Sequence, residues 1–251
     1  MSDDGTIQSV ANAFEIVESL SHNGGQTASE LASELDIPVS TAHNYLHTLT
    51  ETGFVVRTGT VYRPGTRFLE VGERRRQRMT VVRAAESTLP KLAAETGEHV
   101  SLMIEENGLG VVVDLETGAE AIDLDSFRGV RMPLHTIAAG KAILAHLPRD
   151  RLDGIIDRYG LEQLTENTIT DRETLYDHVV RIRERGYAVD RGERMSGMTC
   201  IAAPILDRND EVRAAVCVCS PSHRVDDDRL EEIATAVQRG ANVVQVNVDY
   251  S

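Results

Sequence analysis

The chain has 251 residues, enough for one small domain and one of ordinary size, and 41% of them are hydrophobic, as in packed globular proteins. Forty acidic residues against 26 basic ones leave a formal charge of −14, which argues against any partner held by overall charge alone. No run of about twenty apolar residues is present to span a membrane, the start Met1-Ser2-Asp3-Asp4-Gly5 lacks an apolar signal core, and three cysteines do not make a disulfide framework; the expectation is a cytoplasmic protein with no membrane partner.

A first helix is expected over about Gln8 to Ser21, burying Val10, Ala13, Phe14, Ile16, Val17 and Leu20. After Asn23-Gly24-Gly25, the run Thr27-Ala28-Ser29-Glu30 reads as a capping box that starts a second helix with Leu31, Ala32 and Leu35 on its apolar face. Asp36-Ile37-Pro38 breaks it, and Ser40-Thr41 open a third helix with Val39, Ala42, Leu46 and Leu49 on the inner side. Phe54 to Arg57 and Thr60 to Arg63 then pair across Thr58-Gly59. Two short helices crossed through a tight turn and followed by a hairpin form a winged helix-turn-helix, whose second helix is shaped to enter a DNA major groove. The expected DNA contacts are Thr27, Ser40, Thr41, His43, Asn44, Tyr45, His47 and Thr48, with Arg57, Arg63 and Arg67 on and after the wing. A module that packs only against protein is the alternative, but the outward face of the third helix lacks the Glu/Lys filler of a merely solvated helix. His43 and His47 stand at i, i+4 without a third ligand, so no metal is assigned to them.

Charge is unevenly placed. Residues 1 to 56 hold acidic groups and no Lys or Arg, whereas Arg57, Arg63, Arg67, Arg74, Arg75, Arg76, Arg78 and Arg83 face only Glu70 and Glu73. Such a basic stripe favours an anionic partner. Lysine occurs only at Lys91 and Lys141. Abundant Asp and Glu with almost no Lys is the composition expected in molar intracellular salt, where the Debye length falls to about 3 Å.

Thr66 to about Thr96 is helical in pattern, with Pro90 as a kink or a first-turn residue. The expected division is a DNA-binding domain over 1–72, a linker helix over 73–88 (drawn from Gly72 to Ser87) and a second domain over 89–251. In that domain Val100, Leu102 and Ile104 alternate, Val111 to Leu115 follow the turn Gly108-Leu109-Gly110, and a third strand is expected at Ala121 to Leu124. Helices follow at Ile137 to His146, Arg149 to Tyr159 and Arg172 to Arg185, then strands at Tyr187 to Asp190, Thr199 to Leu206 and Val212 to Cys219, and a last helix from Asp226. The fold class is α+β, an antiparallel sheet with helices packed around it.

Cys217 and Cys219 are two apart on an apolar strand and share a face, and Cys200 lies on a strand that could be their neighbour. Core packing or pocket lining, a metal or redox-sensing site, and a thiol nucleophile remain open for them.

Three stretches closely resemble the IclR family of transcriptional regulators. They are Ser9 to Ala13 through Glu30-Leu31-Ala32, Ser40 to His43 and Gly53-Phe54-Val55; Leu134 to Ala145; and Arg185 to Asp190 with Glu193, Gly197 to Ile205 and Ala214 to Ser220. The resemblance implies a GAF-like α/β effector domain behind the winged helix-turn-helix. It also implies a homodimer or tetramer that binds double-stranded operator DNA under control of a small-molecule effector, with no cofactor and no enzymatic activity. By matching positions it places Asp190, Cys200, Cys217 and Cys219 against the effector, with Ala138-Ala139-Gly140 at a helix start above it. Small residues there leave amide groups free for a carboxylate or phosphate, and His135 or Thr136 could donate beside them, so an anionic metabolite is expected. Pocket serines of the family stand here partly as Cys217 and Cys219. Family members usually carry arginine after the recognition-helix histidine, where this chain has Asn44. Asparagine prefers adenine N6/N7, which implies an adenine at that operator position. A cysteine-based metal or redox sensor, and a small-molecule hydrolase using Cys200, are the alternatives.

Overall fold

The computed structural model describes residues 5–250, so the acidic first four residues lie outside it. The chain divides after Arg75 into two compact units, a head and a body.

The head begins with α1 (Gln8–His22), a two-residue strand β1 (Gln26–Thr27) and α2 (Ala28–Glu34). The capping box is formed: Thr27 Oγ1 accepts from the Glu30 amide at 3.3 Å, and the Glu30 carboxylate accepts from the Thr27 amide at 2.8 Å. Asp36, at φ 50°, turns the chain, and Pro38 leads into α3 (Val39–Glu51). The wing is β2 (Val55–Thr58) and β3 (Val61–Pro64), with β1 added to the free edge of β3. Thr58 pairs with Val61, so Gly59-Thr60 is the turn, one residue later than expected; the positive φ of Gly59 (62°) suits such a tight hairpin. Ile16, Leu20, Leu31, Ala42, Leu46 and Val55 make the core. Val10, Phe14 and Val39, expected inside, are exposed; with only three short helices and a hairpin, one stripe of each helix suffices to close the core.

The expected linker helix over 73–88 is divided. Helix α4 (Arg67–Gln77) buries no residue, whereas α5 (Thr80–Ala85) buries Val81, Val82, Ala84 and Ala85, and α6 (Thr88–Thr96) follows. Met79 is extended (φ −75°, ψ 118°) between α4 and α5. No proline or glycine lies at the break, so tertiary burial of α5 rather than local propensity sets it.

The body is built on one antiparallel sheet in the order β6-β5-β4-β9-β8-β7. Its strands are β4 (His99–Glu106), β5 (Leu109–Thr117), β6 (Arg131–Pro133), β7 (Ala188–Arg191), β8 (Met198–Leu206) and β9 (Val212–Pro221). Residues 121–124, expected as a strand, are irregular, and Leu124 instead faces a cavity described below. The sheet is buried on both faces, and side-chain alternation decides which residue goes where. Ile201, Ala203, Ile205, Ala214, Val216 and Val218 pack against α5, α6 and the long α10 (Asp227–Asp249). Ala202, Ala215 and all three cysteines face α7 (Ala138–Leu144), α8 (Arg149–Tyr159) and α9 (Arg172–Arg185). Asp171 and Asp226 cap α9 and α10 by accepting from the amides of Thr174 and Arg229. No helix among the described residues is long and apolar enough to cross a membrane.

Candidate functional site

On the head, Ser40, His43, Asn44, His47 and Thr48 lie exposed along one side of α3. Thr41 is half-buried, and Thr48 donates to the Asn44 carbonyl of its own helix at 2.9 Å. Tyr45 is half-buried against the head core, with its hydroxyl 3.4 Å from Asn12 Nδ2, so it supports the helix more than it projects from it. Thr27 is spent on the capping box. The three arginines are exposed but tethered: Arg57 Nε donates to Gly59 O at 2.8 Å, Arg63 Nε to Gly24 O at 3.1 Å, and Arg67 to Thr52 O while its guanidinium lies over the Phe54 ring. A tethered guanidinium keeps its charge and its remaining N–H donors for a phosphate.

In the body, a cavity of about 180 Å³ opens between the sheet and the start of α7. Asp190, Cys200 and Cys219 occupy paired positions across β7, β8 and β9, and so point to one face in a row. Cys200 and Cys219 form a disulfide, and Cys217 is free with its sulfur 3.7 Å from that of Cys219. No disulfide framework was expected of three cysteines, and a single bridge between neighbouring strands is what forms; antiparallel pairing brings the Cys200 and Cys219 Cα atoms within 4.2 Å. Burial pushes the Cys217 thiol up to about 12, with the nearby Asp190 charge adding to the effect. Burial likewise raises the Asp190 carboxyl to about 6, although the Glu193 amide donates to it at 2.7 Å.

Of the other expected lining residues, Ala138 and Ala139 face the cavity, whereas His135 and Gly140 do not. His135 Nε2 lies 3.0 Å from Glu162 O, and burial lowers its pKa, so the ring is neutral at pH 7. Thr136 donates to Pro133 O at 2.9 Å. At Gly140 an added Cβ would sit 2.1 Å from Leu134 O, so that glycine serves close packing. The start of α7 is thus not a free anion seat: the Ala139 amide is directed at Cys217, and residue 140 lies against the backbone before it.

Sequence reasoning missed a buried ion pair beside the cavity. Lys141 is fully buried, with Nζ donating to Val189 O at 2.9 Å and pairing with Glu193 Oε1. Burial raises the Glu193 carboxyl, and the neighbouring ammonium opposes that rise. A lone lysine inside the apolar run Ala138 to Ala145 was the available signal. Arg194, Met195 and Met198 lie between Asp190 and Cys200 but belong to no recognisable motif, and Met103 and Met132 come from the separate strands β4 and β6.

A winged helix-turn-helix head and an α/β body with a partly polar cavity define a DNA-binding regulator of the ligand-responsive class. The chain belongs to the IclR family: residues 74–246 match the bacterial transcriptional regulator IclR C-terminal model and residues 9–59 the IclR helix-turn-helix domain. It is 31% identical over 248 residues to the probable HTH-type transcriptional regulator ArcR of Halobacterium salinarum, covering 97% of this chain and 94% of that one. The transcriptional repressor IclR of Escherichia coli is 29% identical, over 96% of this chain and 89% of the repressor. The crystal structure of Thermotoga maritima IclR superposes with a TM-score of 0.81 at 31% identity, covering 98% of this chain and all of that one (100%). The chain is a DNA-binding transcriptional regulator with an effector-binding C-terminal domain.

Proposed function

We propose that α3 reads the edges of operator bases in the major groove, that Arg57, Arg63 and Arg67 neutralise flanking phosphates, and that a small metabolite in the body cavity sets operator affinity. The observation that carries this reading is the exposed face of α3, where Ser40, His43, Asn44 and His47 offer hydrogen-bonding groups without a carboxylate among them. Asn44 takes an adenine by two hydrogen bonds. The cavity ligand is a small acid, for which Arg194 is the cation in the wall. Two heads of a homodimer reach half-sites about 34–36 Å apart. A ligand that alters the course of α4 to α6 changes their spacing, a coupling typically worth about 1–3 kcal/mol. The site works in the cytoplasm under high salt, where screening offsets the net negative charge.

The chain regulates and does not catalyse. Cys217, with a thiol pushed up to about 12, is protonated at neutral pH, and among the described residues no imidazole lines the cavity to take a proton from Cys200, so the site lacks the activated thiolate that a hydrolytic nucleophile needs. Binding of the purified protein to its own promoter and to random duplex, compared in concentrated potassium chloride, tests the reading. A preference for the promoter supports it, and equal affinity for both overturns it.

A further inference from the structure

The wall of the body cavity and the end of α4 meet on one carboxylate. Leu124, Asp125 and Ser126 form part of that wall, in the segment that joins β5 to β6. Two residues on, the Arg128 guanidinium crosses the edge of β5, where Nε donates to Asp114 Oδ1 at 2.7 Å and Nη2 to Leu115 O at 3.0 Å. That edge is open to it because β6 pairs only with Leu109, Gly110 and Val111. Asp114 stands opposite Leu102 in the register, so it points to the side of α5 and α6 rather than into the cavity. From that side the last turn of α4 reaches it, with Arg76 Nη1 at 3.1 Å from Asp114 Oδ2. The division between head and body falls after Arg75, inside α4, so Arg76 is the body's first residue on the helix by which the chain enters it.

Two guanidiniums on one carboxylate compete. The Asp114 side chain is only 12% exposed and that of Arg76 25%, so salt and water screen the repulsion between the two cations poorly. Withdrawing either arginine removes that repulsion and strengthens the hold of the other. The carboxylate does not swing free in the meantime, because the Leu115 amide donates to Oδ1 at 3.0 Å. A second acid is at hand for the arginine that leaves. Glu116, two residues along β5 and therefore on the same face, is half-buried and lines the same groove as Arg76, Asp114 and Arg128.

We propose that Asp114 is a positioning residue that couples the cavity wall to the end of α4: a ligand that draws residues 124–126 inward moves Arg128 from Asp114 to Glu116, and Arg76 is then held more tightly. The cavity ligand touches none of these four side chains. It acts by biasing which of two acids Arg128 occupies. The proposal rests on the cavity being the ligand site, and it assigns the residues by which occupancy reaches α4.

The test is native-state hydrogen exchange on the full chain in constant potassium chloride, with rates scaled to the amides of β8. Two amides report the two ends: Met79, bonded to Arg76 O at 3.0 Å, and Gly129, bonded to Val112 O at 2.7 Å. Arg128→Gln should slow exchange at Met79 by at least about 5-fold, the lower end of coupling between linked sites. Arg76→Gln should slow Gly129 by the same factor, since coupling is reciprocal. Asp114→Asn keeps the side-chain volume, removes the shared charge and should speed both. A side chain that merely braced its surroundings would loosen them when removed, so slowing at the far end is the result a structural role does not give. If either arginine variant leaves the other end unchanged or faster, the relay is overturned; both variants are at half-exposed or partly exposed positions, so this holds even if Asp114→Asn fails to fold. Affinity for the promoter duplex is measured on the same proteins. Ends coupled as described with one promoter affinity throughout keeps the relay and counts against control of the operator from the cavity, whereas affinities that differ while each arginine moves only its own end defeat the relay alone.

Discussion

Replacing Lys141 by methionine is the most searching perturbation of the body. Methionine keeps the volume and apolar stem of the lysine but removes the ammonium that meets Glu193 and the Val189 carbonyl. Glu193 is itself buried, and its second oxygen, Oε2, has no hydrogen-bond partner among the described residues. The variant therefore leaves a buried carboxylate with no opposite charge, a change that costs about 3–5 kcal/mol. That is a large part of the 5–15 kcal/mol stability of an ordinary domain. Replacing Glu193 as well, by glutamine, removes the orphaned charge, so the double variant should recover most of the loss. The assay is native-state hydrogen exchange at the amides of 188–193 and 198–206, in constant potassium chloride, with urea unfolding as the global measure. If Lys141→Met costs less than about 1 kcal/mol, or if the second replacement makes matters worse, the ion pair does not hold β7 to α7 and the argument fails.

Three further outcomes are expected. The Asp190 carboxyl is raised from 3.8 to about 6, so its neutral form contributes stability that is fully present below pH 3.8 and lost as pH rises through about 6; a shift of this size corresponds to about 3 kcal/mol, and Asp190→Asn should flatten the pH dependence of unfolding over that window relative to wild type. Gly140→Ala forces a methyl onto the Leu134 backbone and should cost at least about 3 kcal/mol, the upper end of overpacking, as read by thermal or urea denaturation. Asn44→Ala should weaken operator binding by about 1–3 kcal/mol and relax the base preference at one position, read by affinities for four duplexes that differ only there; an identical loss on all four would refute the adenine contact.

Much of the fold was legible because it is local. The capping box at Thr27, the Asp36 turn and the apolar runs of β8 and β9 each announce themselves within a few residues. What was not legible depends on distant partners. Nothing local distinguishes the run from α4 to α5 as two helices; the break follows from burial of Val81 and Val82 in the body core. Within the irregular stretch 121–124, only Leu124 reaches the cavity wall. The site shows the same split. A shared face for Cys217 and Cys219 follows from strand period, but their union with Cys200 and Asp190 needs the register of three strands. His135 looked like a donor because its carbonyl partner, at Glu162, comes from a loop no local rule places there.

Thr27 is at once the residue that begins α2 and a rung of the wing, paired with Val61. Any change there slackens a helix and a hairpin together. A Thr27→Ala allele would score as a promoter-binding defect in a genetic screen through the loosened fold alone, and a mutational map of this head will overstate its footprint unless stability is measured beside affinity.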